Sequence, residues 1–151
     1  MMTDSSTAVA PRLVLTRTFD VPAQRLYDAW TDPHALTQFL GPSPNRVTDV
    51  TVDARPGGTY SLVMIVESGE RWRVRGTYRD VEPPHRLSMT WIWEEDDPTK
   101  EVHTLLTLEF IERGSKTELV LTHENFGSTE SRDGHQKGWT QILDQLETYA
   151  R

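Results

Sequence analysis

The sequence predicts an α+β fold in which an antiparallel sheet of about six to seven strands packs on a long C-terminal helix. Two observations predict it. Apolar and polar residues alternate through the middle of the chain, as is typical of half-buried strands. Near the end, Trp139, Ile142, Leu143, Leu146 and Tyr149 fall on one helical stripe. That stripe must be buried, and the apolar face of the sheet is large enough to cover it.

The first strand is predicted from Leu13 to Phe19, where LVLTRTF ends at an aspartate followed two residues later by a proline. The next segment, PAQRLYDAW, has apolar residues at helical spacing and predicts a short helix. Asp32 then predicts an N-cap and Pro33 the first position of a second short helix, which ends near Gly41. Two short helices therefore follow the first strand.

Six further strands are predicted by the alternation that follows, with turns at Gly- and Pro-containing segments between most of them. Their predicted ranges are 47–52, 59–66, 71–79, 87–93, 102–110 and 119–123. The strand RWRVRGTYR carries four arginines, at positions 71, 73, 75 and 79, on the face opposite its apolar residues. We expect these arginines to pair with glutamates across the outer face of the sheet.

Composition restricts the class of protein. The 151 residues fit one domain at 12–151 after a flexible tail at 1–11, and 36% hydrophobic with 26% charged residues is typical of a soluble globule. We expect a cytoplasmic protein that does not enter membranes, since there is neither a signal peptide nor an apolar run of about 18 residues. The net charge of -7 argues against nucleic-acid binding.

Few of the common reactive sites fit the sequence. The absence of cysteine excludes disulfides, thiolate nucleophiles and cysteine-based zinc sites. The five histidines show neither HxH nor HExxH spacing, and the chain lacks GxSxG and phosphate-binding glycine motifs. The acidic run from Glu94 to Asp97 is typical of a solvated hairpin loop. We therefore expect no metal, no cofactor and no assigned catalytic residue.

Several spaced motifs resemble a known family. RTFDVPAQRLYDAWTDPHAL, GP, PGGTYSLVM, RGTYRDVEPPHRLSMTWIW and HENFG...GW..IL..L resemble, in this order, the Hsp90-ATPase-activator-like branch of the START/Bet v 1-like superfamily. The resemblance runs from about Leu13 to Tyr149. It implies the helix-grip fold, in which a curved antiparallel sheet wraps round the C-terminal helix with a cavity between them. The family often has tryptophan before the Gly-Pro, where this chain has Phe39-Leu40.

The resemblance implies a ligand site in that cavity, because relatives commonly hold hydrophobic molecules there. The residues expected to line it share inward phases on their strands or helices, or a place at the pocket lip. They are Phe39, Tyr60, Met64, Trp72, Met89, Trp91, Leu106, His123, Trp139 and Leu143. Large aromatic and methionine side chains also serve as ordinary core residues, so packing is the alternative interpretation of most of them.

His123 and His135 have different expected roles. His123 is in phase with the inward-facing leucines of the last strand, so its imidazole needs a buried partner, which is either a protein group or a polar group of a ligand. His135 precedes the apolar stripe of the final helix and is expected at the surface or as a cap.

Three functions follow from these expectations. The leading hypothesis is a protein that binds a hydrophobic or amphipathic small molecule. The first alternative is a cyclase- or hydrolase-type enzyme with His123 as the acid or base. The second is a chaperone-related or regulatory interaction module. The exposed edges of the sheet also make a homodimer an open alternative.

Overall fold

The computed structural model describes residues 10–151 and contains seven strands and three α-helices. The tail predicted at 1–11 falls, up to residue 9, outside the described residues. The strands are β1 (Leu13–Phe19), β2 (Arg46–Val52), β3 (Thr59–Ile65), β4 (Arg71–Glu82), β5 (Arg86–Trp93), β6 (Thr104–Arg113) and β7 (Lys116–Glu124). The helices are α1 (Ala23–Thr31), α2 (Pro33–Phe39) and α3 (Thr129–Ala150), with a short 3-10 helix at Pro98–Lys100.

All seven strands form one antiparallel sheet in the order β1-β7-β6-β5-β4-β3-β2. Strands β2 to β7 meander, and β1 joins the far side of β7 with Leu13 opposite His123 and Phe19 opposite Thr117. The predicted α+β architecture, with a curved sheet around a long C-terminal helix, is confirmed. In particular, the two short helices follow β1 as the sequence predicts.

The three helices close one face of the sheet over a continuous apolar core. Leu143 and Leu146 of α3 are buried in it, together with leucines of β6 and β7. The expected cap of α2 is present, because the Asp32 side chain accepts a hydrogen bond from the backbone N–H of His34 at 3.1 Å. Within residues 10–151, every helix is too short or too polar to cross a membrane.

Some boundaries differ from the sequence prediction. Strand β4 continues to Glu82, because a register shift between Tyr78 and Val81 lets it bend and remain paired with β5. Strand β6 begins at Thr104 rather than at residue 102, after the 3-10 turn has carried the chain away from the sheet. Helix α3 begins ten residues before Trp139, with the Ser128 side chain as its N-cap.

Candidate functional site

A cavity of about 760 Å³ lies between the first half of α3 and the strands β4 and β5. The sheet side of its wall is formed by three tryptophans and two acidic residues, which are Trp72, Trp91, Trp93, Glu94 and Glu95. The helix side consists of Glu130, Ser131, Gly134, His135, Gly138, Trp139 and Ile142, and Pro42 completes the wall. Trp72 is 49% exposed and Gly134 is also exposed, so the cavity opens to solvent between the sheet and the helix.

The aromatic wall is a chain of indoles set at steep angles to one another. The ring centroids of Trp72 and Trp93 are 6.2 Å apart with their planes at 86°, and those of Trp91 and Trp93 are 5.8 Å apart at 83°. Trp139 continues the chain from the helix, 5.2 Å from Trp91. Alternating inward phase on β4 and β5 brings the first three together, because residues 72, 91 and 93 all point to the same face.

Two glycines of α3 create the space opposite these rings. A methyl group added to Gly134 would meet no atom within 4 Å, and one added to Gly138 would meet only the Pro42 ring, at 3.9 Å. Glycine inside a helix costs about 1 kcal/mol relative to alanine. Here the two glycines lie one turn apart on the side of α3 that faces the cavity, and they leave the helix without side chains where the wall is open.

His135 lies in the cavity wall, which corrects its expected place at the surface or in a cap. Its Nδ1–H donates to the Ser131 carbonyl at 2.8 Å, and its Nε2 accepts from the Trp93 indole N–H at 3.0 Å. Burial lowers the pKa of His135, and the bond to Ser131 opposes part of that effect. The neutral ring thus fixes the orientation of Trp93.

His123 is completely buried behind the cavity and has a protein partner on each ring nitrogen. The Trp139 indole N–H donates to its Nδ1 at 3.0 Å, and its Nε2 lies 2.8 Å from the Thr104 hydroxyl. Because an indole can only donate, Nδ1 must be unprotonated and Nε2–H must donate to Thr104. The Thr104 hydroxyl donates in turn to the carbonyl of Trp91, so every hydrogen in this chain has an acceptor.

This network makes His123 a structural residue. Burial lowers the pKa of His123 to about 2, with a smaller contribution from the nearby His135, so the ring is neutral at physiological pH. A general acid or base needs a free nitrogen within reach of the substrate and a pKa near the working pH. His123 has neither, and it does not line the cavity. Protein groups thus satisfy both ring nitrogens, as one of the two alternatives for its partner requires.

The structure brings three of the ten expected site residues to the cavity wall: Trp72, Trp91 and Trp139. The other seven, all buried in the core, are Phe39, Tyr60, Met64, Met89, Leu106, His123 and Leu143. Phe39 packs edge-on against Trp30 at 5.1 Å, below the lip rather than on it. Tyr60 lies over Gly76 and donates its hydroxyl to the Thr90 carbonyl at 2.7 Å.

Acidic side chains form the rim of the cavity. Glu94 lies 3.8 Å from Arg73 and 4.0 Å from Arg75, and Arg75 also pairs with Glu101 at 2.8 Å. The expected pairing of outer-face arginines with glutamates is thus confirmed for these two, whereas Arg71 pairs with Asp49 and Arg79 has no ion pair among the described residues. Within the same residues, Glu95 and Glu130 form no ion pair, so two carboxylates of the rim are unneutralised.

Sequence reasoning missed most of the helix side of the cavity, where Trp139 is the one expected site residue in the wall. Trp93 shares the inward phase of Trp91 but is not among the expected site residues, and His135 is expected at the surface or as a cap. The available signal was the pair Gly134 and Gly138, because two glycines one turn apart in a helix need a reason. Within residues 10–151, no three histidine or acidic side chains converge as a metal site would require.

The comparisons with known proteins agree on the fold. The family model described as activator of Hsp90 ATPase homolog 1-like protein matches residues 20–151. The structure of a protein described as AHSA1 from Silicibacter pomeroyi is 29% identical, covers 91% of this chain and 96% of its own, and gives a TM-score of 0.82.

Two other solved structures are similar over nearly their whole length. A protein of Chromobacterium violaceum is 25% identical over 91% of this chain and 95% of its own, with a TM-score of 0.83. A protein of Arthrobacter aurescens is 20% identical over 99% of this chain and 89% of its own, also with a TM-score of 0.83. Among curated proteins, none is significantly similar to this chain.

Proposed function

Because the chain belongs to the family of activator of Hsp90 ATPase homolog 1-like proteins, whose fold can enclose a ligand, we propose that it binds a hydrophobic or amphipathic small molecule between β4, β5 and α3. The observation that carries this proposal is the cavity of about 760 Å³ with four tryptophans in its wall. Apolar pockets of 300 to 1,000 Å³ with a few polar groups are the usual form of small-molecule sites.

The geometry of the wall favours binding over packing alone. Trp93 and Trp139 each donate an indole N–H to a histidine, so their rings are already oriented without a ligand. A pre-oriented wall loses less side-chain entropy on binding. Each 100 Å² of apolar surface removed from water contributes about 2.5 kcal/mol before the costs of association. The 49% exposure of Trp72 leaves apolar surface that a ligand would cover.

The first experiment identifies whatever the protein carries in its own cells. The protein, purified gently from its own organism, is examined by native mass spectrometry, followed by organic extraction. We expect a bound small molecule with an apolar part. The purified protein is then titrated with N-phenyl-1-naphthylamine, a neutral apolar dye that becomes fluorescent in apolar sites, to measure the capacity of the cavity directly.

Two variants in α3 test where the dye binds. Gly134→Leu places a leucine side chain in the open space, whereas Gln136→Leu places the same side chain at an exposed position of the same helix. We expect Gly134→Leu to weaken dye binding at least about tenfold and Gln136→Leu to leave it unchanged. Equal effects in the two variants would contradict the proposed site.

A second pair of variants tests the sheet side of the cavity. Trp72→Ala and Arg73→Ala change neighbouring residues that point to opposite faces of β4. Trp72→Ala should raise the Kd of the dye about three- to tenfold, because it removes an aromatic face from the mouth. Arg73→Ala should leave the Kd within about twofold.

A further inference from the structure

The cavity combines aromatic faces with unneutralised carboxylates and has neither lysine nor arginine in its wall. Three of its wall residues, Glu94, Glu95 and Glu130, are formally negative, and they approach from the end of β5 and from the first turn of α3. Among the described residues, Glu95 and Glu130 form no ion pair. A neutral apolar ligand needs none of these charges.

The only other titratable wall residue does not offset this charge. Both nitrogens of His135 are occupied, by the Ser131 carbonyl and the Trp93 indole, and burial lowers its pKa. Arginines do lie nearby, because Arg71 and Arg73 line an adjoining groove that shares Trp72, Glu94 and Glu95 with the cavity. Arg73 neutralises Glu94 in part, at 3.8 Å, whereas Arg71 pairs with Asp49 and neither arginine forms an ion pair with Glu130.

Four indoles line one cavity, a feature shared with sites that bind organic cations. The faces of aromatic rings are negative, and several rings set around one volume bind alkylated ammonium groups through these faces. Trp93 stands at 86° to Trp72 and at 83° to Trp91, and Trp139 lines the cavity from the helix. Carboxylates at the rim add long-range attraction for a positive charge.

On these observations, and resting on the proposed function, we propose that the ligand of this cavity is an organic cation with a tertiary or quaternary ammonium group, held by the tryptophans and attracted by Glu95 and Glu130. The attached apolar part fills the remainder of the cavity.

A pair of isosteric probes isolates the charge. One is 4-tert-butylbenzyl alcohol, and the other is the same molecule with trimethylammonium in place of the tert-butyl group. The two have nearly the same size and shape and differ in charge. Each is titrated against the protein at low ionic strength by calorimetry, and the dye N-phenyl-1-naphthylamine is titrated in parallel. We expect the ammonium probe to bind at least about tenfold more tightly than the alcohol with the tert-butyl group.

Matched double variants then separate local from overall charge. Glu95→Gln with Glu130→Gln removes two charges from the rim, and Glu67→Gln with Glu82→Gln removes two exposed charges elsewhere. We expect the rim variant to lose about fivefold or more in affinity for the ammonium probe and to keep its affinity for the dye. The control variant should retain both affinities within about twofold.

The outcomes distinguish the two proposals. If the dye binds and the tert-butyl probe binds as tightly as the ammonium probe, or if the rim variant keeps full affinity for the ammonium probe, the cation proposal is overturned and the apolar binding site remains. If neither the dye nor either probe binds, the proposed function itself fails, and the cation proposal with it.

Discussion

The two halves of α3 rest on the same sheet in opposite ways. Beyond residue 142, the helix presents Leu143 and Leu146, both buried, and the interface with the sheet is closed. Before residue 139 it presents Gly134, His135 and Gly138, and the interface opens into the cavity. The helix and the sheet are continuous through both regions. The difference teaches that the cavity exists because large side chains are missing from one stretch of a helix that elsewhere carries them.

Trp139 and His123 form the boundary between these regions. The Trp139 ring belongs to the cavity wall, while its N–H is bonded to His123 in the core. The chain of hydrogen bonds from Trp139 through His123 and Thr104 reaches the backbone of Trp91, another wall residue. A polar network inside the core is costly unless every donor and acceptor in it has a partner. Here each donor of the network has an acceptor, and the hydrogen bonds connect two wall residues, Trp91 and Trp139, to the closed region.

The largest change in the free energy of unfolding is expected from a substitution in the closed region. Leu146→Ala removes a fully buried side chain and should lower the free energy of unfolding by about 2–5 kcal/mol, because the surrounding core cannot collapse into the gap. Urea denaturation measures the loss, and Gln136→Ala on the exposed face of α3 is the control, with a change of less than about 0.5 kcal/mol. A loss below about 1 kcal/mol from Leu146→Ala would mean that the second half of α3 is not closed.

The two histidines near this boundary should make the stability of the protein depend on pH. His123 and His135 have pKa values below the usual 6.5 in the folded protein, so the unfolded chain binds protons there more readily. Stability is therefore complete above pH about 6.5 and falls as the pH drops below it. The slope is at most about 1.4 kcal/mol per pH unit for each histidine. Urea denaturation between pH 5 and 7 measures the slope above the range where most carboxylates titrate.

Two variants test whether His123 contributes to this pH dependence of stability. His123→Gln should be less stable than the unmodified protein at pH 7 and should lose stability less steeply as the pH is lowered, because one of the two suppressed protonations is gone. His34→Gln, which changes an exposed histidine at the start of α2, should keep the full slope. If His123→Gln keeps the full slope, the conclusion that His123 is buried as a neutral imidazole is contradicted.

The sequence predicts the closed region better than the open one, for a physical reason. Residues such as Leu143 and Leu146 signal burial by their chemistry and spacing, and one helical stripe was enough to orient α3 on the sheet. The volume of a cavity, by contrast, depends on which inward side chains meet and which fail to meet. Phase alone cannot distinguish Trp91, which reaches the cavity, from Met89 on the same face of β5, which does not.

The hydrogen-bond partners of the two histidines were still harder to predict. His123 and Trp139 are 16 residues apart, and their hydrogen bond depends on the angle between β7 and α3. Trp93 and His135 are 42 residues apart and meet because α3 packs on the sheet. The inward phase of His123 predicted that it needed a partner, but only tertiary structure supplies one. For His135, the position before the apolar stripe suggested a helix start, and the helix in fact begins six residues earlier, at Thr129.

The smallest effect is expected in the open region and has the opposite sign. Gly134→Ala should raise the free energy of unfolding by about 0.5–1 kcal/mol, because alanine favours the helix and its methyl group meets no atom within 4 Å. A methyl group fills little of a cavity of about 760 Å³, so the Kd of N-phenyl-1-naphthylamine should rise less than about threefold. Gly69→Ala also enters open space, but its φ of +90° should make that change destabilising by about 1 kcal/mol. Thermal unfolding of both variants decides the matter: if Gly134→Ala is destabilising as well, the first half of α3 is held open by a constraint other than missing side chains.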